Sequence, residues 1–114
     1  MVITGTNYLG AAITETIALN GATAADGAKA FKTVTNIVLP AKTNESGDTV
    51  SVGWSDVLGL PYYLTHNTVQ SAFLANVKEG TAPTVVVDAD EIEKNTIDLN
   101  SALNGSAIDV YLFV

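Results

Sequence analysis

The stretch that decides the fold is VITGTNYLGAAITETIAL, residues 2–19. Two arms rich in Thr and Ile flank NYLG, and the arms carry no apolar stripe at helical spacing. Side chains branched at Cβ lose rotamer freedom in a helix but pack well on a pleated surface. Asn and Gly supply the turn, because Asn bonds its own backbone and both tolerate positive φ. The stretch therefore reads as a β-hairpin, with strands near 2–6 and 12–19. One residue resists the pattern. Glu15 has the same parity as Ile13, Ile17 and Leu19, so a bulge shifts the register there, the strand end is exposed, or that face meets water or a partner.

The same signature continues along the chain. Thr-, Val- and Ile-rich runs near 31–39, 48–54, 69–77, 84–89, 95–99 and 107–113 alternate with turn-forming clusters at TNESGD (43–48), KEGTAP (78–83) and LNSALNG (99–105). Connections this short suit antiparallel pairing, not βαβ units, which need a crossover of a dozen or so residues. The expectation is an all-β, antiparallel sandwich or barrel of about eight short strands, with at most one short helix, formed as a single β-rich domain over 1–114. In 48–54, Val50, Val52 and Trp54 share one face and Thr49, Ser51 and Gly53 the other. In 108–114, Ile108, Val110, Leu112 and Val114 alternate with Asp109, Tyr111 and Phe113. That last strand is apolar on both sides toward its end, as in a sandwich or between subunits. Two short segments also admit helical readings: THNTVQSAFLANVKEG (65–80), with Val69, Ala72, Phe73 and Val77 near helical spacing, and one turn at DADEIEKN (88–95). The tetrapeptide ALNG occurs at 18–21 and 102–105. It marks two turns of like chemistry and is too short for a repeat architecture.

Composition excludes some functions. The chain has 114 residues, 12 acids, 5 lysines, no arginine and no cysteine, for a net charge of −7. Arginine is the preferred side chain for bidentate contact with phosphates and guanine, so nucleic acid and anionic membrane surfaces are not expected partners. The missing thiols remove disulfides, thiolate zinc sites and Cys nucleophiles. No apolar run reaches the roughly 18–20 residues that cross a bilayer as a helix, and MVITGTNYLG lacks the basic and apolar regions of a secretory signal. The apolar fraction of 47% beside only 15% charge suggests that part of the surface is covered in an assembly.

Three constellations invite a chemical reading. Ser55, Asp56 and His66 hold the residue types of a hydrolase triad, yet GWSD is not the G-x-S-x-G elbow. Neighbours on a strand also point to opposite faces, so no catalytic residue is assigned. Asp88, Asp90, Glu91 and Glu93 form an oxygen-rich cluster of the sort Ca²⁺ favours. The EF-hand spacing is absent, and a solvated acidic turn accounts for them, so no metal or cofactor is expected. Trp54, Tyr62 and Tyr63 offer a stacking platform for a sugar, or equally the rigid amphipathic side chains of a protein interface. Pro61 ends or edges a strand and so brings Tyr62 and Tyr63 toward a surface.

Three phrases carry a family likeness: ITGTNYLGAAITETIALNG (3–21), KAFKTVTNIVLP (29–40) and GDTVSVGWSDVLGLP (47–61). In order and spacing they resemble small virion structural proteins of tailed bacteriophages, over about half of the chain. Residues 65–114 show no specific likeness. The resemblance implies a non-enzymatic particle component, foremost a capsid decoration (cement) protein. Such a protein sits as a homotrimer on the outer surface of the shell and binds the major capsid protein. A tail or baseplate component is the alternative within the virion, and a carbohydrate-binding β-sandwich the alternative outside it. For the cement reading the expected contact residues are Tyr8, Trp54, Leu60, Pro61, Tyr62, Tyr63 and Phe113.

Overall fold

A computed structural model describes residues 1–43 and 47–114. The chain is all-β, and its described residues form three small antiparallel sheets and one 3-10 turn, Ile92–Lys94. The hairpin forms as its sequence suggests: β1 (Val2–Thr6) pairs with β2 (Ala12–Thr16) in unbroken register. Asn7 closes the turn, its Oδ1 accepting from the amides of Leu9 and Ala11 at 3.1 and 3.0 Å. β3 (Thr33–Val38) adds to the other side of β1, with a bulge between Thr4 and Gly5. Gly5 is required there, since a Cβ would collide with the carbonyl of Thr33. No bulge accompanies Glu15. Its carboxylate instead accepts the amides of Ala28 at 2.6 Å and Lys29 at 3.3 Å, so the long loop after β2 lies against this face beside the buried Ile13.

The main core lies between the other two sheets. One has the order β4 (Val57–Gly59), β8 (Thr96–Asp98), β7 (Thr84–Val86); the other has β6 (Val77–Lys78), β5 (Val69–Leu74), β9 (Ile108–Leu112). Register explains which residues go inside. Leu58, Ile97 and Val85 form one row across the first sheet, while Ala72 faces Val110 and Leu74 faces Ile108 across the second. These rows meet with Leu60, Leu64 and Leu99 to form the core. Ile97 at its centre is 1% exposed, and full burial of such a side chain contributes roughly 1.5–3 kcal/mol. The two sheets are layered but do not close into a barrel. The β1–β3 sheet sits to one side, and the radius of gyration is 16.1 Å against about 13 Å for a compact chain of this length.

One polar side chain organises this core. Asn95 is fully buried. Its Oδ1 accepts the amides of Leu64 at 3.2 Å and Asp88 at 2.9 Å. Its Nδ2 donates to the carbonyl of Asp88 at 2.8 Å, with longer contacts to those of Glu91 and Ile92, and its own carbonyl accepts from Leu60 at 2.7 Å. Buried backbone groups without partners are costly. A single amide thus satisfies the irregular segments 60–64 and 88–92, where no strand ladder is available.

Four sequence expectations are corrected. Residues 48–54 do not form a strand: their alternation is present, but no neighbouring strand completes a ladder, and Thr49–Trp54 lie exposed. Trp54 is 97% exposed. The run 69–77 is not one strand, and 65–80 is not a helix. The chain reverses at Ala75 and Asn76, whose φ values of 52° and 64° are those of a two-residue hairpin turn between β5 and β6. The turn at 88–95 takes 3-10 form over Ile92–Lys94 only. Of the turn expected at 43–48, residues 44–46 lie outside the described residues.

Two stability measurements test this account. Asn95→Ala leaves several buried amides and carbonyls without partners and should lower the unfolding free energy by about 3 kcal/mol or more, read from urea denaturation. Ala75 carries a Cβ in left-handed backbone, which costs roughly 1–2 kcal/mol. Asn tolerates that conformation without the unfolded-state entropy of Gly, so Ala75→Asn should raise Tm by about 2–5 °C in a calorimetric scan.

Candidate functional site

The C-terminal strand builds an aromatic edge. β9 is the outer strand of its sheet, pairing with β5 alone. Alternation sends Ile108, Val110 and Leu112 into the core and leaves Tyr111 and Phe113 outside, 59% and 68% exposed. Phe113 is nevertheless held, because its amide donates to the carbonyl of Thr68 and its carbonyl accepts from the Thr68 hydroxyl. Tyr111 rests edge-on against Phe73, with centroids 5.5 Å apart and planes at 73°, an arrangement that stabilises aromatic pairs by about 0.5–1.5 kcal/mol. Tyr62 comes up beside them from the segment that Asn95 anchors. Together Tyr62, Gln70, Tyr111, Phe113 and Val114 frame an open groove of about 390 Å³. Its lining is mostly apolar, and among the described residues the outer edge of β9 has no strand partner.

The expected contact residues divide on this surface. Tyr62 and Phe113 meet in the groove, and Pro61 is half-buried next to them in sequence. Leu60 belongs to the core and has no surface to offer. Trp54 and Tyr63 are exposed but do not line the groove, so the three-ring platform proposed for a sugar is not assembled there. Tyr8 lies on the β1–β2 turn, where the Lys32 ammonium stands 5.5 Å from its ring centroid. Tyr111 and Val114 were absent from the expected set. The parity of 108–114 already places Tyr111 with Phe113, and that signal was available.

The acidic cluster is a joint between sheets. Glu93, itself buried, accepts from Asn7 Nδ2 at 3.2 Å and Lys29 Nζ at 3.5 Å, while its carbonyl accepts the amide of Ala30 at 2.7 Å. Lys29 also pairs with Glu91 at 3.1 Å, and Glu91 pairs with Lys94. Asp88 Oδ1 accepts the amides of Asp90 and Glu91, each at 2.8 Å. Three of the four carboxylates thus serve internal contacts, and among the described residues no group of three or more His, Cys, Asp and Glu side chains is placed to hold a metal ion. Two of the three triad residues are also engaged locally. Ser55 Oγ accepts the amide of Val57 at 3.4 Å, and His66 Nδ1 contacts the Thr65 hydroxyl at 3.1 Å.

Comparison of the chain with protein families, with curated proteins and with solved structures yields no match.

The joint predicts a pH dependence. Lys94 foremost, then Lys29, holds the Glu91 carboxyl below its ordinary range, and the two backbone amides do the same for Asp88. A carboxyl lowered in the folded state binds fewer protons there than in the unfolded chain. Its contribution is therefore complete above the unfolded value and is lost as pH falls through the folded one. Tm should drop in acid below the usual carboxylate range. Asp88→Asn, which keeps an acceptor but cannot titrate, should flatten that drop in melting curves taken across the acid range.

Proposed function

We propose that this protein is a non-enzymatic structural component that acts by protein–protein contact, as a cement on the outer surface of a bacteriophage capsid. The observation that carries the reading is the aromatic edge, where Tyr62, Tyr111 and Phe113 stand exposed on a backbone that is held in place. Tyr and Phe enriched on a rigid surface are the residues that anchor protein interfaces. The likeness of residues 3–61 to small virion proteins supplies the setting, with the major capsid protein as partner.

The energetics suit a cement. Each apolar side chain taken from water contributes roughly 1.5–3 kcal/mol, of which association costs consume a large share. A modest contact repeated over a shell gains by avidity. The acidic, arginine-free surface accords with a partner other than packaged nucleic acid.

Particles carrying the chain should release their genome at a higher temperature than particles stripped of it. The double variant Tyr62→Ser, Phe113→Ser should fold, since both side chains are exposed, yet fail to restore the release temperature when added back. Equal release temperatures with and without the chain would overturn the reading.

A further inference from the structure

The correction at residues 48–54 leaves two complementary pieces of unpaired β-structure in one chain. The first is the free edge of β3. That strand is the outermost of its sheet and exposed at all six positions, and its sequence TVTNIV contains no charge and no proline. Natural edge strands are ordinarily blunted by such residues against pairing with other chains. The second is TVSVGW, residues 49–54, which also has six residues, no charge and no proline, alternates as a strand should, and has no ladder in its own chain. Water can satisfy its backbone, but Val50, Val52 and Trp54 remain exposed together.

The charges at the ends of the two pieces are opposite. Lys32 lies directly before β3, whereas Asp56 follows 49–54. An antiparallel placement that sets Trp54 near Val34 brings Asp56 beside Lys32. For a chain of net charge −7, self-association is otherwise repulsive, and this pairing offers a local electrostatic gain. We propose that residues 49–54 of one copy add as a strand to the free edge of β3 in a second copy, so that the chain self-assembles by strand exchange. Main-chain hydrogen bonds supply affinity and alternate side chains supply register, as in other strand additions. Each copy carries one donor and one acceptor, so reciprocal exchange between two copies closes as a symmetric dimer. The inference does not depend on a capsid as the other partner, because it concerns a different edge from the β9 groove.

The test uses the full chain, whose lack of cysteine makes introduced thiols unambiguous. Light scattering should show a species heavier than one chain. A mixture of Asn36→Cys and Val52→Cys proteins, the pair that this register sets opposite one another, should oxidise to a disulfide between the two different variants. Successive backbone amides of a strand point to opposite sides, so either Ser51→Pro or Val52→Pro removes an amide that faces the β3 edge. At least one of these variants should abolish the heavier species while leaving the monomer's melting temperature unchanged, since 49–54 holds no ladder in the monomer. The proposal is overturned by a chain that is monomeric at every concentration. It is equally overturned by a disulfide that forms only within one Asn36→Cys, Val52→Cys double variant or only between two Asn36→Cys chains, or by a heavier species that survives both prolines. Binding to particles is read separately, so loss of the capsid reading and loss of strand exchange give different results.

Discussion

The buried amide of Asn95 is the constraint on which the structure depends. Two irregular segments, 60–64 and 88–92, touch the core with Leu60, Leu64 and Ile92 but have no strand ladder to satisfy their backbone. Asn95 meets the need with both ends of its side chain and with its own carbonyl. In an interior of low dielectric an unmet amide is expensive, and a fully connected network is correspondingly specific. This one residue sets Leu60 and Leu64 into the core and, between them, turns Tyr62 and Tyr63 outward. The aromatic surface is thus positioned from inside the core.

A second polar network joins the outlying β1–β3 sheet to that core. Glu93 and Asn7 are buried at the junction, and Lys29 bridges Glu93 to Glu91 at its margin. Breaking one partner of a buried charged group costs more than forming the pair returns, so the joint favours one arrangement of the sheets over others. The surface consequences follow. β9 presents a held aromatic edge, and β3 presents a bare one. Both are apolar surfaces that a chain of low charge leaves open, and the two proposals assign them to different partners.

Much of the fold was legible because local signals agreed. β1, β2, β3, β8 and β9 lie within the runs that their Thr, Val and Ile content marks, and the NYLG turn needs only its own Asn and Gly. Strand 48–54 failed for a definite reason. Alternation shows that a segment suits a pleated surface, but a strand exists only where another supplies hydrogen bonds. The turn at Ala75–Asn76 was hidden because Ala is not a residue that announces positive φ. Leu60 was taken for a surface residue beside its aromatic neighbours, and the Asn95 contact that draws it inward spans the distance from residue 60 to residue 95.

By itself the sequence determined the class of protein: all-β, antiparallel, acidic, free of thiols and arginine, with short strands and turn chemistry between them. Those properties are local or compositional and need no knowledge of what meets what. The tertiary structure decided the rest. It made Asn95, Asn7 and Glu93 structural keystones, because burial and partners at long range give a polar side chain its role. It converted the acidic cluster from a candidate ion site into a joint, because lysines and backbone amides reach the carboxylates first. It also selected Tyr62, Tyr111 and Phe113 as one surface and left Trp54 apart, because a shared face across separate strands is a property of register and packing that no single stretch of residues contains.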